Sequence, residues 1–462
     1  MKIINVVFLL WTVTIASCLT IIPGRINGRL KPLVALTIIL AIVQLLVEGY
    51  YWQYLPSYVL IVLLIIIALF LKKTNSKAQN RLLHIALVFL IMFSIVPWTI
   101  FLPIPKLTKP QGYYKVGTRI FRWVDGERPE PITEDPKDKR NVVVQAWYPT
   151  VQEAKGIHSS YVDGLDNFPK QIGIIPDFIF DHYDQVETYG VLNAPISKEQ
   201  NRWPVILFLT GNNASRAFYT SLATGLASYG YVVLMIDHPY EAMITQLADG
   251  KIATTIEVHP SGNPDLTKFM KGRLDTRIAD VEFIINQLGN TKVSPENFLS
   301  FLDQTRIVIA GHSLGGASAA AAMAFDSRIK AAANVDGTLY GDLPKPNGPH
   351  PFLLLESNKA EHDRYLRYEN GNQKLFRQFG GGYRYEIIAA DHYSFTDAPL
   401  LLAYPTRFLA GSFLGFGNIP AKTHHATVDI LNTFFKSALN GKLSGMDSVA
   451  SRHQGIIRKS ID

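Results

Sequence analysis

Charge is scarce in this chain and cysteine is almost absent. Only 18% of its 462 residues are Asp, Glu, Lys or Arg, against roughly 25% in soluble domains. The single cysteine, Cys18, excludes a disulfide framework and any zinc site built on cysteines. No internal repeat, low-complexity tract or nucleic-acid motif is present. Aromatic residues are plentiful: 25 Phe, 21 Tyr and 6 Trp exclude a disordered chain, which would be poor in them. Lys and Arg number 45 against 38 Asp and Glu, a net charge of +7. Such an excess suits nucleic acid or an anionic membrane surface. The placement of the apolar residues favours the membrane.

Lys, Arg, Asp and Glu are missing altogether from four apolar runs that precede residue 104. These are Ile3–Ile22, Leu33–Val47 with its aromatic flank Tyr50, Tyr51 and Trp52, Tyr54–Leu71, and Leu82–Pro103. About 20 apolar residues at helical rise cross a bilayer core, and the His84 and Pro97 of the fourth run are tolerable there. The loops set an expected orientation. Arg25, Arg29 and Lys31 follow the first run, and Lys72, Lys73, Lys77 and Arg81 follow the third; the second loop has only Glu48. Basic loops stay cytoplasmic. The expected localisation is therefore a multi-pass cell-membrane protein with everything after residue 104 on the extracytoplasmic side. Lys2, Lys106 and Lys109 oppose this weakly. A competing reading takes Lys2, the following apolar stretch and Ile15-Ala16-Ser17-Cys18 as a lipoprotein signal with a lipidated Cys18, although apolar residues continue to Ile22.

The chain thus divides into a four-helix transmembrane anchor (1–104), a Pro- and Gly-punctuated linker (105–115), a large domain (116–445) and a C-terminal tail (446–462). The large domain alternates short apolar segments with helical ones. Strands are expected at Asn141–Tyr148, Val205–Leu209, Tyr231–Ile236, Arg306–Ala310, Lys330–Val335, Pro351–Leu355 and Arg384–Ala390. Helices are expected at Ala217–Tyr229, Pro264–Leu288, Gly315–Ala324, Glu361–Gln378 and His424–Leu439. Near-continuous apolar strands alternating with helices predict an α/β fold, a mostly parallel sheet covered on both faces.

Chemistry enters at Gly311-His312-Ser313-Leu314-Gly315-Gly316. The motif follows the strand Arg-Ile-Val-Ile-Ala and opens an Ala-rich helix. That is the strand–turn–helix setting of the Gly-x-Ser-x-Gly nucleophile elbow of α/β-hydrolases. Ser313 is the candidate nucleophile, on a turn so tight that side chains two residues to either side would clash. A base and an orienting acid should follow in the order Ser, acid, His. Of His350, His362, His392, His424, His425 and His453, only His392 lies in a loop directly after the last expected strand. His312 reads as a packed elbow residue, and His424-His425 has no third ligand for a metal. For the acid, Asp336 follows one strand while Glu361 and Asp363 follow the next, and spacing alone does not choose.

The region from about Gly117 to Leu439 resembles the platelet-activating factor acetylhydrolase family, the single-chain serine-lipase type found both secreted and inside cells. Val205–Ser221 is similar to that family's strand, oxyanion loop and Arg-x-x-Tyr helix. Ala227–His238 resembles the next strand, Arg306–Ala317 the elbow, Asn334-Val335-Asp336-Gly337 the acid segment, and Pro351–Asn358 with Asp391–Asp397 the last strand and histidine loop. The resemblance implies Asp336 rather than Asp363 as the acid. It departs at the oxyanion loop, where the family's His-Gly is replaced by Thr210-Gly211-Asn212-Asn213. Because such holes are built from backbone N–H groups, the Asn212 and Leu314 amides are expected to serve. Asn213-Ala214-Ser215 also spells a glycosylation sequon, read here as chance.

The expectation is a membrane-anchored serine ester hydrolase, with an acyl-enzyme formed on Ser313 and released by water. The resemblance implies short-chain or phospholipid acyl esters as substrate; the mechanism calls for no metal or organic cofactor, and no nucleic-acid partner is expected. Ser159–Pro195, rich in Phe, Ile and Tyr, reads as a cap or lipid entry, or as an ordinary surface excursion. Two other readings are a general carboxylesterase or envelope deacylase, and a non-catalytic membrane sensor or transport module.

Overall fold

The structure is a computed structural model. It describes residues 3–70, 77–100, 102, 104–164, 176–256, 266–290, 295–338, 343–344, 350–358, 364–411, 413–417 and 419–461. Glu361, His362 and Asp363 lie outside these, as does the start of the helix expected from Glu361. The chain forms two compact units.

The first unit comprises residues 1–103 with two short downstream pieces, 176–182 and 402–407. It holds helices α1 (Ile3–Ile21), α2 (Leu30–Glu48), α3 (Leu55–Phe70) and α4 (Lys77–Ile100). Among the described residues, four helical segments are long and apolar enough to cross a membrane. Their mutual contacts include an apolar cluster around Ile15, Leu19, Val34, Leu60, Leu64 and Leu87. Gln44 of α2 donates to the Asn5 side chain of α1 at 3.2 Å and accepts from Tyr58 of α3 at 2.5 Å. The downstream pieces hydrogen-bond within the same unit: Ala403 N–H donates to Ile100 O (2.9 Å) and His182 Nε2–H to Tyr50 O (2.7 Å).

The second unit is built on a ten-stranded sheet. Its strands are β1 (Lys115–Pro129), β2 (Lys139–Thr150), β3 (Gly190–Leu192), β4 (Trp203–Leu209), β5 (Val232–Asp237), β8 (Leu302–His312), β9 (Ile329–Val335), β10 (Phe352–Ser357), β11 (Gly382–Ile387) and β12 (Ile456–Arg458), while β6 (Ile244–Gln246) and β7 (Ile252–Thr254) form a separate hairpin. The order is β12-β11-β10-β9-β8-β4-β5-β2-β1-β3. The run from β5 through β4, β8, β9 and β10 to β11 is parallel; β2 and β12 join it antiparallel. Every residue of β4 and β5 is buried, which is why these strands read as unbroken apolar runs rather than alternating ones. Helices α5 (Thr220–Ser228), α6 (Leu266–Leu288), α7 (Leu314–Phe325), α8 (Arg364–Phe379) and α9 (Pro420–Leu439) accompany the sheet. Residues 446–462, read as a tail, instead carry a short helix at Met446–Ala450 and the edge strand β12 paired to β11. Within the stretch read as a cap, the described parts form short turns at Asp177–Phe180 and Tyr183–Gln185 and strand β3.

Candidate active site

Ser313 stands between β8 and α7 with φ 57° and ψ −124°, a conformation that costs a non-glycine residue about 1–3 kcal/mol. The turn is closed by Ser313 N–H donating to Val335 O at 2.9 Å. Its glycines are required by contact. A Cβ on Gly311 would stand 2.2 Å from the Gly315 carbonyl oxygen, and one on Gly315 would stand 2.1 Å from the Leu209 carbonyl oxygen. No rotamer relieves a clash between backbones, so only glycine fits.

Asp336 follows β9 directly, with φ 53°. Its carboxylate accepts the Ser357 N–H and the Ser357 hydroxyl, both at 2.9 Å, and His392 Nδ1–H at 2.7 Å. His392 opens a short turn capped by Asp391, whose side chain and Ser394 form a reciprocal capping box. With Nδ1 committed as a donor to a carboxylate, Nε2 carries the lone pair. It lies 3.0 Å from Ser313 Oγ. The structure thus brings Ser313, His392 and Asp336 into one hydrogen-bonded line. His362 lies outside the described residues, and three other histidine candidates are engaged elsewhere. His424 is buried between Thr108 Oγ1 and Thr396 O, and His425 and His453 meet Gln111 and Asp429.

The loop Thr210–Asn213 follows β4. Neither the Asn212 N–H nor the Leu314 N–H donates to another described residue, so both amides are available to a developing oxyanion. The loop itself is held from two sides. Arg277 of α6 donates to Thr210 O at 2.6 Å, and Arg273, one turn earlier, donates to the Asn212 side-chain oxygen. Gly211 N–H donates to Tyr219 Oη at 3.0 Å.

His312 is more than packing. Its Nε2 faces the His392 carbonyl oxygen at 2.8 Å and must therefore donate, which leaves Nδ1 as an acceptor for the Tyr219 hydroxyl at 2.9 Å. A continuous chain runs from the Gly211 amide through Tyr219 and His312 to the backbone of His392. Burial, with His392 beside it, pushes the His312 pKa down to about 3, so the ring stays neutral and the chain keeps its donor–acceptor order. Burial likewise raises the Tyr219 phenol and keeps it protonated. Motif reading missed Tyr219, Arg273, Arg277 and Ser357. Only Tyr219 had a signal, as the Tyr of the Arg-x-x-Tyr segment. Among the described residues, no group of three His, Cys, Asp or Glu is placed to hold a metal ion.

A mostly parallel sheet bearing helices, with a serine on a strained strand-to-helix turn, defines an α/β-hydrolase. Among solved structures, the chain is similar to a ferulic acid esterase from Streptomyces cinnamoneus, with a TM-score of 0.65 and 26% identity over 77% of this chain and 99% of that one. It is 27% identical over 389 residues to a protein of Arthroderma benhamiae described as a probable 1-alkyl-2-acetylglycerophosphocholine esterase, covering 78% of this chain and 94% of the relative. It is 23% identical to the platelet-activating factor acetylhydrolase of Bos taurus over 44% of this chain and 51% of that protein. Residues 103–402 match the family model for platelet-activating factor acetylhydrolase, isoform II, and the chain belongs to that family. It is a carboxylic ester hydrolase.

Proposed function

We propose that the chain is a membrane-anchored serine esterase that cleaves short-chain or phospholipid acyl esters through an acyl-enzyme. The observation that carries this is the line Ser313 Oγ–His392 Nε2–Asp336, at 3.0 and 2.7 Å. His392 takes the Ser313 proton as Oγ attacks the ester carbonyl, and returns it to the leaving alcohol. Asp336, fixed by Ser357, holds the imidazole tautomer. The Asn212 and Leu314 amides receive the oxyanion. Water, deprotonated by His392, then releases the acyl group and regenerates Ser313. The four apolar helices and the basic loops support an anchor with the hydrolase unit on the extracytoplasmic side. The names of the Arthroderma and bovine relatives support a phospholipid ester. The likeness to the Streptomyces ferulic acid esterase favours a second reading, a carboxylesterase of non-lipid esters.

The test uses membranes from cells making wild type, Ser313→Ala or His392→Ala. Each is treated with a membrane-impermeant fluorophosphonate before and after permeabilisation. Labelling of wild type alone, without permeabilisation, is the expected result. Labelling only after permeabilisation overturns the orientation. No labelling even in detergent overturns the activated serine. Vesicles of short-chain phosphatidylcholine against soluble phenyl esters then separate the two substrate readings.

A further inference from the structure

Helix α6 carries two arginines that grip the oxyanion loop, and their charges are treated differently. Arg277 is fully buried and neutralised, with Nε 2.9 Å from Glu241 Oε2. Arg273 is only 9% exposed, yet among the described residues it has no carboxylate partner. Its recorded neighbours are the Asn212 side-chain oxygen and the Phe269 ring, 4.8 Å from its guanidinium carbon. Burial pushes its pKa below the ordinary arginine value, with Glu241 acting against the shift. A guanidinium withdrawn from water with no carboxylate in direct contact is costly. It has five N–H donors, and Asn212 is the acceptor of one.

Asn212 links this charge to the reacting carbonyl. Its backbone amide is the proposed oxyanion donor, and its side chain accepts from Arg273. An anionic group that meets the guanidinium therefore sits about one residue's breadth from the ester under attack. In an acyl glycerophosphoester the phosphate is carried on the carbon next to the one bearing the central ester, which is the same short separation. A guanidinium fork matches phosphate oxygens in geometry as well as charge. Resting on the esterase reading above, we propose that Arg273 binds the substrate's phosphate and makes the site prefer esters with a phosphate beside the scissile carbonyl. Glu241 keeps Arg277 out of this role, so the preference is assigned to one residue.

The experiment uses the full chain in detergent and two matched soluble substrates, a short 1-alkyl-2-acetylglycerophosphocholine and the corresponding 1-alkyl-2-acetylglycerol. Because Arg273 also holds Asn212, the readout is the ratio of kcat/KM for the two, not either rate. Wild type should prefer the phosphate ester. In Arg273→Gln that preference should shrink about 10- to 100-fold, the usual size of a charge-assisted contact. Arg273→Lys, which keeps a point charge, should restore part of it. An unchanged ratio in Arg273→Gln overturns the assignment and leaves Arg273 as a support for Asn212 alone. If wild type cleaves the acetylglycerol but not the phosphate ester, the phospholipid reading of the enzyme fails. Glycerol 3-phosphate then decides the residue's role. Competitive inhibition of wild type that weakens tenfold in Arg273→Gln upholds it, and no inhibition of wild type overturns it. Wild type alone keeps the idea falsifiable if both variants misfold, because absence of both preference and inhibition is sufficient to reject it.

Discussion

The two units place the same kinds of side chain on opposite sides of their surfaces. In the sheet unit, Val205, Ile206, Leu207, Phe208 and Leu209 of β4 are wholly buried. In the helical unit, Leu10, Ile39, Leu46 and Phe70 are more exposed than not, and the buried residues of α1 and α2 include Asn5, Thr12, Thr37 and Gln44. A chain folding in water buries its apolar surface because water rejects it. Helices in hydrocarbon gain nothing by hiding leucine and associate through small and polar contacts instead. The hydrogen bonds from Trp11 to Thr37 and from Gln44 to Asn5 fit the second situation. The difference is the one expected if the helical unit is built for hydrocarbon and the sheet unit for water, and it supports the proposed anchor.

The comparison breaks most violently at a buried strand. Leu207→Ala leaves a cavity in the sheet core and should cost about 2–5 kcal/mol, seen as a lower urea midpoint for loss of fluorophosphonate labelling. Ile39→Arg sharpens the other side. Ile39 is 55% exposed in the middle of α2. On a surface facing water this change would alter stability by no more than about 0.5 kcal/mol. At a bilayer centre it should cost about 2.5–3.5 kcal/mol, read as a smaller inserted fraction after carbonate extraction. Unimpaired insertion would contradict a lipid-facing α2.

Within the sheet unit, two buried carboxylates draw a finer contrast. Burial pushes Asp280 up, but Arg140 and His238 pull it well below the usual carboxylate range. Asp397 accepts from the Ser221 hydroxyl and from backbone N–H groups of Ser221 and Thr220, its Oδ1 has no hydrogen-bond partner among the described residues, and burial raises it to about 7. His424, with Nδ1 3.9 Å away, does not rescue it. That ring is itself pushed down to about 4 by burial, and its Nδ1 faces the Thr108 hydroxyl. The folded state thus binds a proton on Asp397 that the unfolded chain gives up near pH 4. Its stabilising contribution is complete below that pH, falls by about 1.4 kcal/mol per unit as pH rises towards 7, and is level above. Asp397→Asn should remove that slope, about 2–3 kcal/mol between pH 5 and pH 7, in melts recorded across the range. A wild-type slope kept by the variant would assign it to another group.

The sequence's legibility followed burial. The expected core strands contain apolar runs, with β11 and its Arg384 and Glu386 the exception, and their order placed the elbow, Asp336 and His392. Strand β1 escaped because it buries Thr118 and Arg119 beside Val116 and is broken by charge. Strands β3 and β12 are three-residue edges with no periodicity to detect. At the site, the positions carried by local motifs, Ser313, Asp336 and His392, could be read and lie together. Arg273 and Arg277 reach the oxyanion loop across 61 and 67 residues, and such a partnership exists only once the sheet has placed α6.

Tyr219 gives the smallest effect and the sharpest separation of scaffold from chemistry. Its hydroxyl accepts from Gly211 N–H and donates to His312 Nδ1, so it joins the oxyanion loop to the backbone of His392 without touching substrate. Tyr219→Phe keeps the ring, and with it the packing on Phe208. It leaves one buried N–H and one ring nitrogen unpaired, a loss of about 1–3 kcal/mol. If that loss fell on the ground state alone, the melting temperature would drop and kcat would hold. Because the loop and the histidine must both be in place when charge appears on the carbonyl oxygen, kcat should fall about 10-fold with KM nearly unchanged. Fluorophosphonate labelling should slow by a similar factor, since that reaction needs the same aligned serine. A variant that lost stability but kept both rates would make the Gly211–Tyr219–His312 chain part of the fold and no part of the site.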